Sequence, residues 1–314
     1  MKIALTGATG FAGGPILREL SSAGHSLSVL VRRPQNGQFD PAVRVVKGDL
    51  GDLAAIKDLC ADAHVVVHVA GAISALNEAG YFKINFAGTR NVFEVAMAAS
   101  VKRFVFVSSI SARNPELSAY AASKRAAEDY LVSQVGEIEA LILRPSAIYG
   151  PGDKATLPLL AALQKSIALI PGQRNAKFSL VHVQDFARVV AAAAIGRQTG
   201  MLEIDDMQGG HDWNELAKLN CFISGKPSRV FYLPNGLVKT VALVSEFGAF
   251  FTGQSGMVNR GKVNELYHAD WVARGAGWPR ANPIGLAEGL TETVTWYRAH
   301  GWLPPLKQVV RTIS

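Results

Sequence analysis

The sequence predicts an α/β fold: a doubly wound parallel sheet with helices on both faces, followed by a smaller C-terminal lobe. Three observations predict it. A glycine-rich turn, Thr6-Gly7-Ala8-Thr9-Gly10-Phe11-Ala12-Gly13, joins a strand to a helix at the start of the chain. Short apolar runs then alternate with helical segments as far as Tyr149-Gly150. Beyond Pro151-Gly152 the alternation breaks, and turns such as Pro171-Gly172, Gly209-Gly210 and Pro234-Asn235-Gly236 become frequent. Strands alternating with helices imply parallel pairing and a sheet covered on both sides.

The first strand is Ile3-Ala4-Leu5, and the helix after the turn contains Pro15-Ile16-Leu17-Arg18-Glu19-Leu20. Each glycine between them has a task. Gly7 lets the backbone leave the strand through a tight turn. Gly10, lacking a Cβ, lets a pyrophosphate approach the main chain, and Gly13 lets the helix pack closely on the sheet. Amides without intrahelical partners face the phosphates, at the positive end of the helix dipole. Strand, turn and helix in this order form a dinucleotide fingerprint. Pro15 removes one backbone donor and is expected to distort the helix start slightly.

Downstream, His25 to Val31 is β-rich and ends in Arg32-Arg33-Pro34, and Val43 to Lys47 is a strand stopping at Gly48-Asp49-Leu50. Asp52 to Leu59 predicts a short helix with a carboxylate near its positive end. His64 to Val69 is almost continuously apolar, as a strand covered on both faces should be. Glu78 to Ala99 predicts one long helix, Phe104 to Val107 a buried strand, and Ser118 to Val135 a helix. Ala140 to Leu143 is the strand before Arg144-Pro145. A return to the sheet is expected at Ser179 to Val183, then a helix from Asp185 to Ile195. On this reading residues 1–150, with 177–197 returning to them, form the dinucleotide-binding domain. Residues 151–176 and 198–314 form the substrate-binding lobe. The ligand belongs beyond the carboxyl ends of the strands.

With 314 residues, 49% hydrophobic and 18% charged, the chain has enough apolar material for one large or two modest packed domains. A net charge of +7 calls for an anion, but the basic residues form no nucleic-acid-like run, and the dinucleotide supplies one. Two cysteines, Cys60 and Cys221, lack metal-like spacing; neither a disulfide scaffold nor a metal site is expected, and a reducing compartment is. With the first strand beginning at Lys2, no signal peptide is expected and the cytoplasm is the expected location. Leu237 to Phe251, interrupted by Lys239 and Glu246, is too short and too charged to span a bilayer. Lining an apolar pocket is preferred for it over contact with a membrane surface.

Tyr120 and Lys124 stand four apart, one turn from each other on one helical face. An ammonium group close to a phenol favours its ionised form, so the tyrosine pKa is expected to fall from about 10 towards neutrality. Tyr120 then becomes a usable general acid or base at a carbonyl or alcohol. Ser108 and Ser109 end a buried strand where a hydroxyl can donate to an oxygen that gains charge; satisfying nearby backbone is the alternative.

These segments occur in the order found in the extended short-chain dehydrogenase/reductases, the broad NAD(P)-dependent epimerase/dehydratase group, which the chain resembles through about residue 195. The resemblance is carried by Thr6 to Gly13, Gly48-Asp49-Leu50, Asn85-Phe-Ala-Gly-Thr89, Ser108-Ser109, Tyr120-x-x-Ser-Lys124 and Arg144-Pro145 with Tyr149-Gly150. It implies a Rossmann sheet, with Tyr120 as acid/base, Lys124 on the nicotinamide ribose and Ser109 polarising the substrate oxygen, Ser111 being the fallback. It also implies cofactor contacts at Gly7, Thr9, Gly10, Phe11, Ala12 and Gly13. Further along it implies contacts from Asp49 to the adenine, from Leu50, Val69, Ala70 and Gly71, and from Pro145. Asn85 would position a helix or a relay water, and His68 reads as a core histidine. Relatives often dimerise through the helices after Glu78 and Ser118, so a homodimer is implied. The segment from Ser109 to Tyr120 is short for the group's epimerases and dehydratases.

An acidic residue at the end of the second strand would receive the ribose hydroxyls of NAD. Here Arg32-Arg33 stand there, and guanidinium groups suit a 2′-phosphate, so NADP is expected, with NAD the less favoured cofactor. A solvent-facing basic pair is the alternative reading. Phe178 stands where nucleotide-sugar enzymes of the group carry a diphosphate-binding arginine, although Lys177 and Arg174 are near. Phe231, Tyr232, Leu233, Leu237, Phe247, Phe250 and Phe251 are candidates for lining an apolar pocket, or for plain core. The expected function is an NADP(H)-dependent oxidoreductase interconverting a carbonyl and an alcohol on a small apolar molecule. A nucleotide-sugar epimerase or dehydratase and a non-catalytic nucleotide-binding protein are the alternatives.

Overall fold

The computed structural model describes residues 1–134, 136, 138–242, 259–275 and 283–305. In chain order the central strands are β1 Lys2–Thr6, β2 Ser26–Val31, β3 Arg44–Lys47, β4 Val65–His68, β5 Arg103–Val107, β6 Glu139–Pro145 and, after several lobe strands, β11 Gly200–Ile204. They form one seven-stranded sheet in the order β3-β2-β1-β4-β5-β6-β11, parallel throughout. The order reverses at β1, between β2 and β4, which opens a crevice at their carboxyl ends.

Period-two alternation explains how one sheet feeds two cores. In β5, Val105 and Val107 join the layer made with α1 (Gly13–Ser22) and α7 (Val183–Ile195), while Phe104 and Phe106 face α2 (Leu53–Cys60), α4 (Gly88–Ala98) and α5 (Ala119–Ser133). Phe104 and Phe106 are fully buried, and truncating either to alanine should cost about 3–5 kcal/mol. Asp52 caps α2 outright, its Oδ1 accepting from the Ala55 amide at 3.0 Å. Pro15 leaves α1 unbroken: it occupies the third helical position, whose amide has no intrahelical partner anyway.

Two expectations are corrected here. Ser179 to Val183 does not rejoin the main sheet: β10 (Leu180–His182) pairs with β7 (Ala147–Tyr149) in a separate two-stranded sheet. The chain rejoins the main sheet through β11, inside the 198–314 stretch assigned above to the lobe. The predicted long helix over 78–99 is divided into α3 (Glu78–Tyr81), a π-helical stretch Phe82–Ala87, and α4.

The lobe contains α6 (Leu157–Leu163), the parallel pair β8 (Ile167–Pro171) with β12 (Arg229–Leu233), and the pair β9 (Lys177–Phe178) with β13 (Asp270–Trp271). It also holds α8 (Trp213–Ser224), a helix through 235–242, and the helices Arg260–Leu266 and Leu286–Ala299. Its own core includes Leu160, Leu163, Ile170, Leu216, Val294 and Tyr297. Among the described residues, no helix is long and apolar enough to cross a membrane.

Candidate active site

The glycine turn closes on itself, the Gly10 amide donating to the Gly7 carbonyl at 2.9 Å. Gly7 has φ +81°, and a Cβ there would lie 2.6 Å from the Ala70 amide nitrogen. A Cβ on Gly13 would lie 1.9 Å from the Gly7 carbonyl oxygen, so helix and turn meet only because that atom is missing. No side chain caps α1 among the described residues and no acidic residue stands in its first turn, while the Gly14 amide donates to the Gly10 carbonyl at 3.2 Å. Thr9 and Gly10 are exposed, and Phe11 and Ala12 half-buried, around this cradle. Opposite it, Val69 and Ala70 leave β4 with amides bonded to the carbonyl and hydroxyl of Thr6, both at 3.3 Å.

At the ends of β2 and β3 lies an open depression of about 310 Å³ lined by Arg32, Lys47, Gly48, Asp49 and Asp52. Arg33 is exposed beside it. The Asp49 carboxylate accepts from the Gly51 amide at 2.8 Å, which fixes the loop. Leu50 turns away to pack on Gly88, where a Cβ would lie 2.8 Å from it, and its carbonyl accepts from Asn91 at 2.9 Å. Lys47 was not among the sequence candidates. Strand register reveals it: Val31 pairs with Lys47, which brings the chain just after β2 beside the end of β3.

The tyrosine, lysine and serine converge at the carboxyl ends of β4 and β5. Ser118 caps α5, its Oγ accepting from the Ala121 amide at 3.0 Å, and the helix carries Tyr120, Lys124 and Glu128 on successive turns. Ser109 follows β5, accepts from the Ser111 amide at 3.2 Å, and lies near enough to Tyr120 to lower its pKa. Ser108 and Ser111 are buried, and the Ser108 hydroxyl has no hydrogen-bond partner among the described residues. Lys124 Nζ donates to the Val107 carbonyl at 2.9 Å and sits 5.0 Å from the centre of the Phe106 ring. A Cβ on Gly71 would lie 3.1 Å from both Lys124 Nζ and Asn85 Oδ1. Asn85, in the π-helical stretch, clamps the Ala72 backbone through bonds of 2.7 and 3.0 Å and donates to Ser123 at 3.0 Å. Ser123 in turn donates to the Tyr120 carbonyl at 2.7 Å. His68 is core, held between Thr6 at 2.7 Å and Thr89 at 3.0 Å. Pro145 ends β6 on the register of Ile204.

The electrostatics differ from the expectation. Burial pushes the Tyr120 phenol up to about 12, reinforced by Glu265 and opposed by Ser109. The Lys124 ammonium donates to the Val107 carbonyl, and burial lowers Lys124 to about 8, against the pull of Glu128.

A buried ion chain invisible to sequence spacing supports the site from below. Arg144 grips Glu128 through both carboxylate oxygens and lies 3.8 Å from Glu203 on β11. Glu203 also takes Arg113, from the turn after Ser109, at 3.3 Å and the Arg274 amide at 2.6 Å. Above, Ser118 donates a hydrogen bond to the buried Glu265 of the helix Arg260–Leu266.

The proposed apolar lining is only partly described: Phe247, Phe250 and Phe251 lie outside the described residues. Phe231 is exposed, since the alternation of β12 sends Val230 and Tyr232 inward instead, and Leu237 is exposed on the helix through 235–242. Phe178 packs on Trp213 with ring centres 4.7 Å apart, and Arg174 lies over the Tyr232 ring at 5.9 Å. Among the described residues no cluster of His, Cys, Asp or Glu could hold a metal ion.

A family model described as the NAD dependent epimerase/dehydratase family matches residues 3–200. A ceramide reductase of Caulobacter vibrioides is 39% identical over 307 residues, covering 96% of each chain. A UDP-glucose 4-epimerase of Vibrio cholerae is 27% identical over 320 residues, covering 93% of this chain and 94% of its own. Among solved structures, the UDP-glucose 4-epimerase of Thermotoga maritima with UDP-glucose superposes with a TM-score of 0.73 at 20% identity, covering 96% and 99%. At that identity the likeness is one of fold.

Proposed function

The chain belongs to the NAD dependent epimerase/dehydratase family and is an NAD(P)-dependent enzyme of the short-chain dehydrogenase type, and from that premise we propose that it is an NADP(H)-dependent reductase of an apolar ketone. The observation that carries the reading is the convergence of Ser109, Tyr120 and Lys124 beside the glycine cradle. The fit to a dinucleotide is supported by the tight strand–turn–helix that Gly7 and Gly13 permit, where added Cβ atoms would strike backbone. Arg32 and Lys47 support a 2′-phosphate at the depression, whose carboxylates Asp49 and Asp52 accept from the Gly51 and Ala55 amides.

When bound, the nicotinamide supplies hydride to the carbonyl carbon. Ser109 steadies the carbonyl oxygen as charge builds on it. Tyr120, still protonated at neutral pH, donates its phenolic proton to that oxygen, so the carbonyl gains one hydride and one proton and becomes an alcohol. Lys124, on the adjacent turn, would hold the ribose and offer a cation as the tyrosinate forms. The likeness to a ceramide reductase along nearly the full length supports a long-chain, ceramide-like ketone. The same reading has the chain in the cytoplasm, where the free thiols of Cys60 and Cys221 stay reduced, and as a homodimer through the outer faces of α4 and α5.

An epimerase could use the same three residues, and the Vibrio relative keeps that second reading open. Arg174 over Tyr232 and Phe178 against Trp213 argue against a diphosphate site here. The decisive test is NADPH absorbance with long-chain ketones against UDP-glucose. Stoichiometric loss with a ketone supports the reductase; sugar interconversion without net NADPH loss overturns it.

A further inference from the structure

We propose that the outer face of the β8/β12 pair docks on an anionic lipid surface. The first observation is charge. From Lys154 to Gln184 the chain has four cations and no carboxylate, and from Leu216 to Ser245 again four cations and no carboxylate. Against a net charge of +7 for the chain, these two segments hold the whole cationic excess. β8 lies in the first and β12 in the second, and their parallel pairing brings the two together.

The second observation is what this face displays. The inward residues Ala168 and Ile170 are fully buried in the lobe core. The outward residues of such a half-covered pair are ordinarily polar. Here they are Ile167 and Leu169, each 54% exposed, and Phe231, 52% exposed, with Arg229 beside Ile167 in the register. The chain runs on into the helix at 235–242, where Leu237 and Val241 stand one turn apart at 56% and 57% exposure, with Lys239 also exposed between them. Lys165 is exposed just before β8.

Apolar side chains interleaved with Lys and Arg match the interface of an anionic leaflet, where the apolar atoms enter the acyl boundary and the cations meet the headgroups. A nucleic acid would use the cations and leave the aliphatic residues in water. The face is also tied to the site. The Leu233 carbonyl at the end of β12 accepts from Tyr267 at 2.6 Å. Tyr267 directly follows the helix whose Glu265 bonds Ser118 at the head of α5. A substrate drawn from a bilayer would thus arrive on the lobe that seats the tyrosine helix. The purpose of docking rests on the apolar-ketone reading; the docking itself does not.

The test is co-sedimentation of the full chain with phosphatidylcholine vesicles with and without phosphatidylglycerol. Binding should require phosphatidylglycerol and weaken with salt. Lys165→Glu with Arg229→Glu should weaken it about thirtyfold or more. Leu169→Ser with Phe231→Ser should weaken it at low and high salt alike. NADPH binding is the control for folding, and single variants Lys165→Glu and Leu169→Ser replace a double that does not fold. Failure to bind vesicles, or binding that the variants leave unchanged, overturns the proposal, as does capture of duplex DNA in place of vesicles. Because no turnover is measured, failure here leaves the reductase reading standing.

Discussion

Glu128 and Arg144 meet in a two-pronged ion pair beneath α5, Nε to Oε1 at 2.9 Å and Nη2 to Oε2 at 2.5 Å, with Glu128 fully buried. The pair anchors the tyrosine helix to β6, and Glu128 also holds up the pKa of Lys124 one turn away. Glu128→Gln should cost about 3 kcal/mol of stability by leaving Arg144 poorly compensated. It should also move the alkaline limb of activity downward in pH, because a lysine that loses its carboxylate sheds its proton sooner. A pH–rate profile with an unmoved limb would contradict this.

Tyr120→Phe should lower kcat by about two to four orders of magnitude while leaving NADPH affinity near that of the parent. Ser109→Ala should lower kcat less, about a hundredfold, the magnitude for losing one donor to a developing oxyanion. Both are read from steady-state kinetics with a long-chain ketone, beside fluorescence titration of NADPH.

The glycines of the turn separate packing from binding. A Cβ at Gly13 meets the Gly7 carbonyl at 1.9 Å, so Gly13→Ala should destabilise by about 3 kcal/mol and abolish dinucleotide binding. At Gly10 the same contact is 3.2 Å, so Gly10→Ala should keep stability within about 1 kcal/mol and still weaken NADPH binding. Thermal melts and titrations of both variants check this.

Arg32→Ser with Lys47→Ser should weaken NADPH binding about 30- to 100-fold, the range for charge-assisted hydrogen bonds. NADH binding should change little. Equal losses for the two cofactors would remove the case for a 2′-phosphate site.

Acid should weaken the fold through His68. Burial, with Lys124 adding to it, lowers its pKa from 6.5 to about 3. Between those values the unfolded chain binds a proton that the native chain does not, so stability falls as pH falls, by up to about 1.4 kcal/mol per pH unit. The contribution is fully present above 6.5. Melting temperatures between about pH 7 and pH 4 should fall more steeply for the parent than for His68→Gln.

The two-sided sheet was legible because strands covered on both faces read as apolar runs between helices, as Val65 to Val67 do. The last strand was not. Gly200–Ile204 is an edge with an exposed Met201 and a charged Glu203, while the more apolar Leu180–His182 belongs to another sheet. The π-helical stretch over Phe82–Ala87 keeps helical composition, so the residue pattern reads as one continuous helix. Tyr120 and Lys124 share a helical face by their spacing, whereas the choice of Ser109 and the roles of all three came from the family resemblance. The phenol's raised pKa was not legible, because desolvation depends on packing that spacing cannot express. Lys47 was missed because it becomes a neighbour of the chain after β2 only through strand register.

Glu203 carries a last consequence. One carboxylate on an edge strand serves Arg144 of the sheet, Arg113 of the serine turn and the backbone of Arg274 from the lobe. Grafting a foreign lobe, with its own edge strand, onto this sheet would strand two guanidinium groups unless a carboxylate came with it. Chimeras that divide the chain before β11 and import a neutral residue at this position should therefore misfold. Those that retain Glu203 should accept a new specificity.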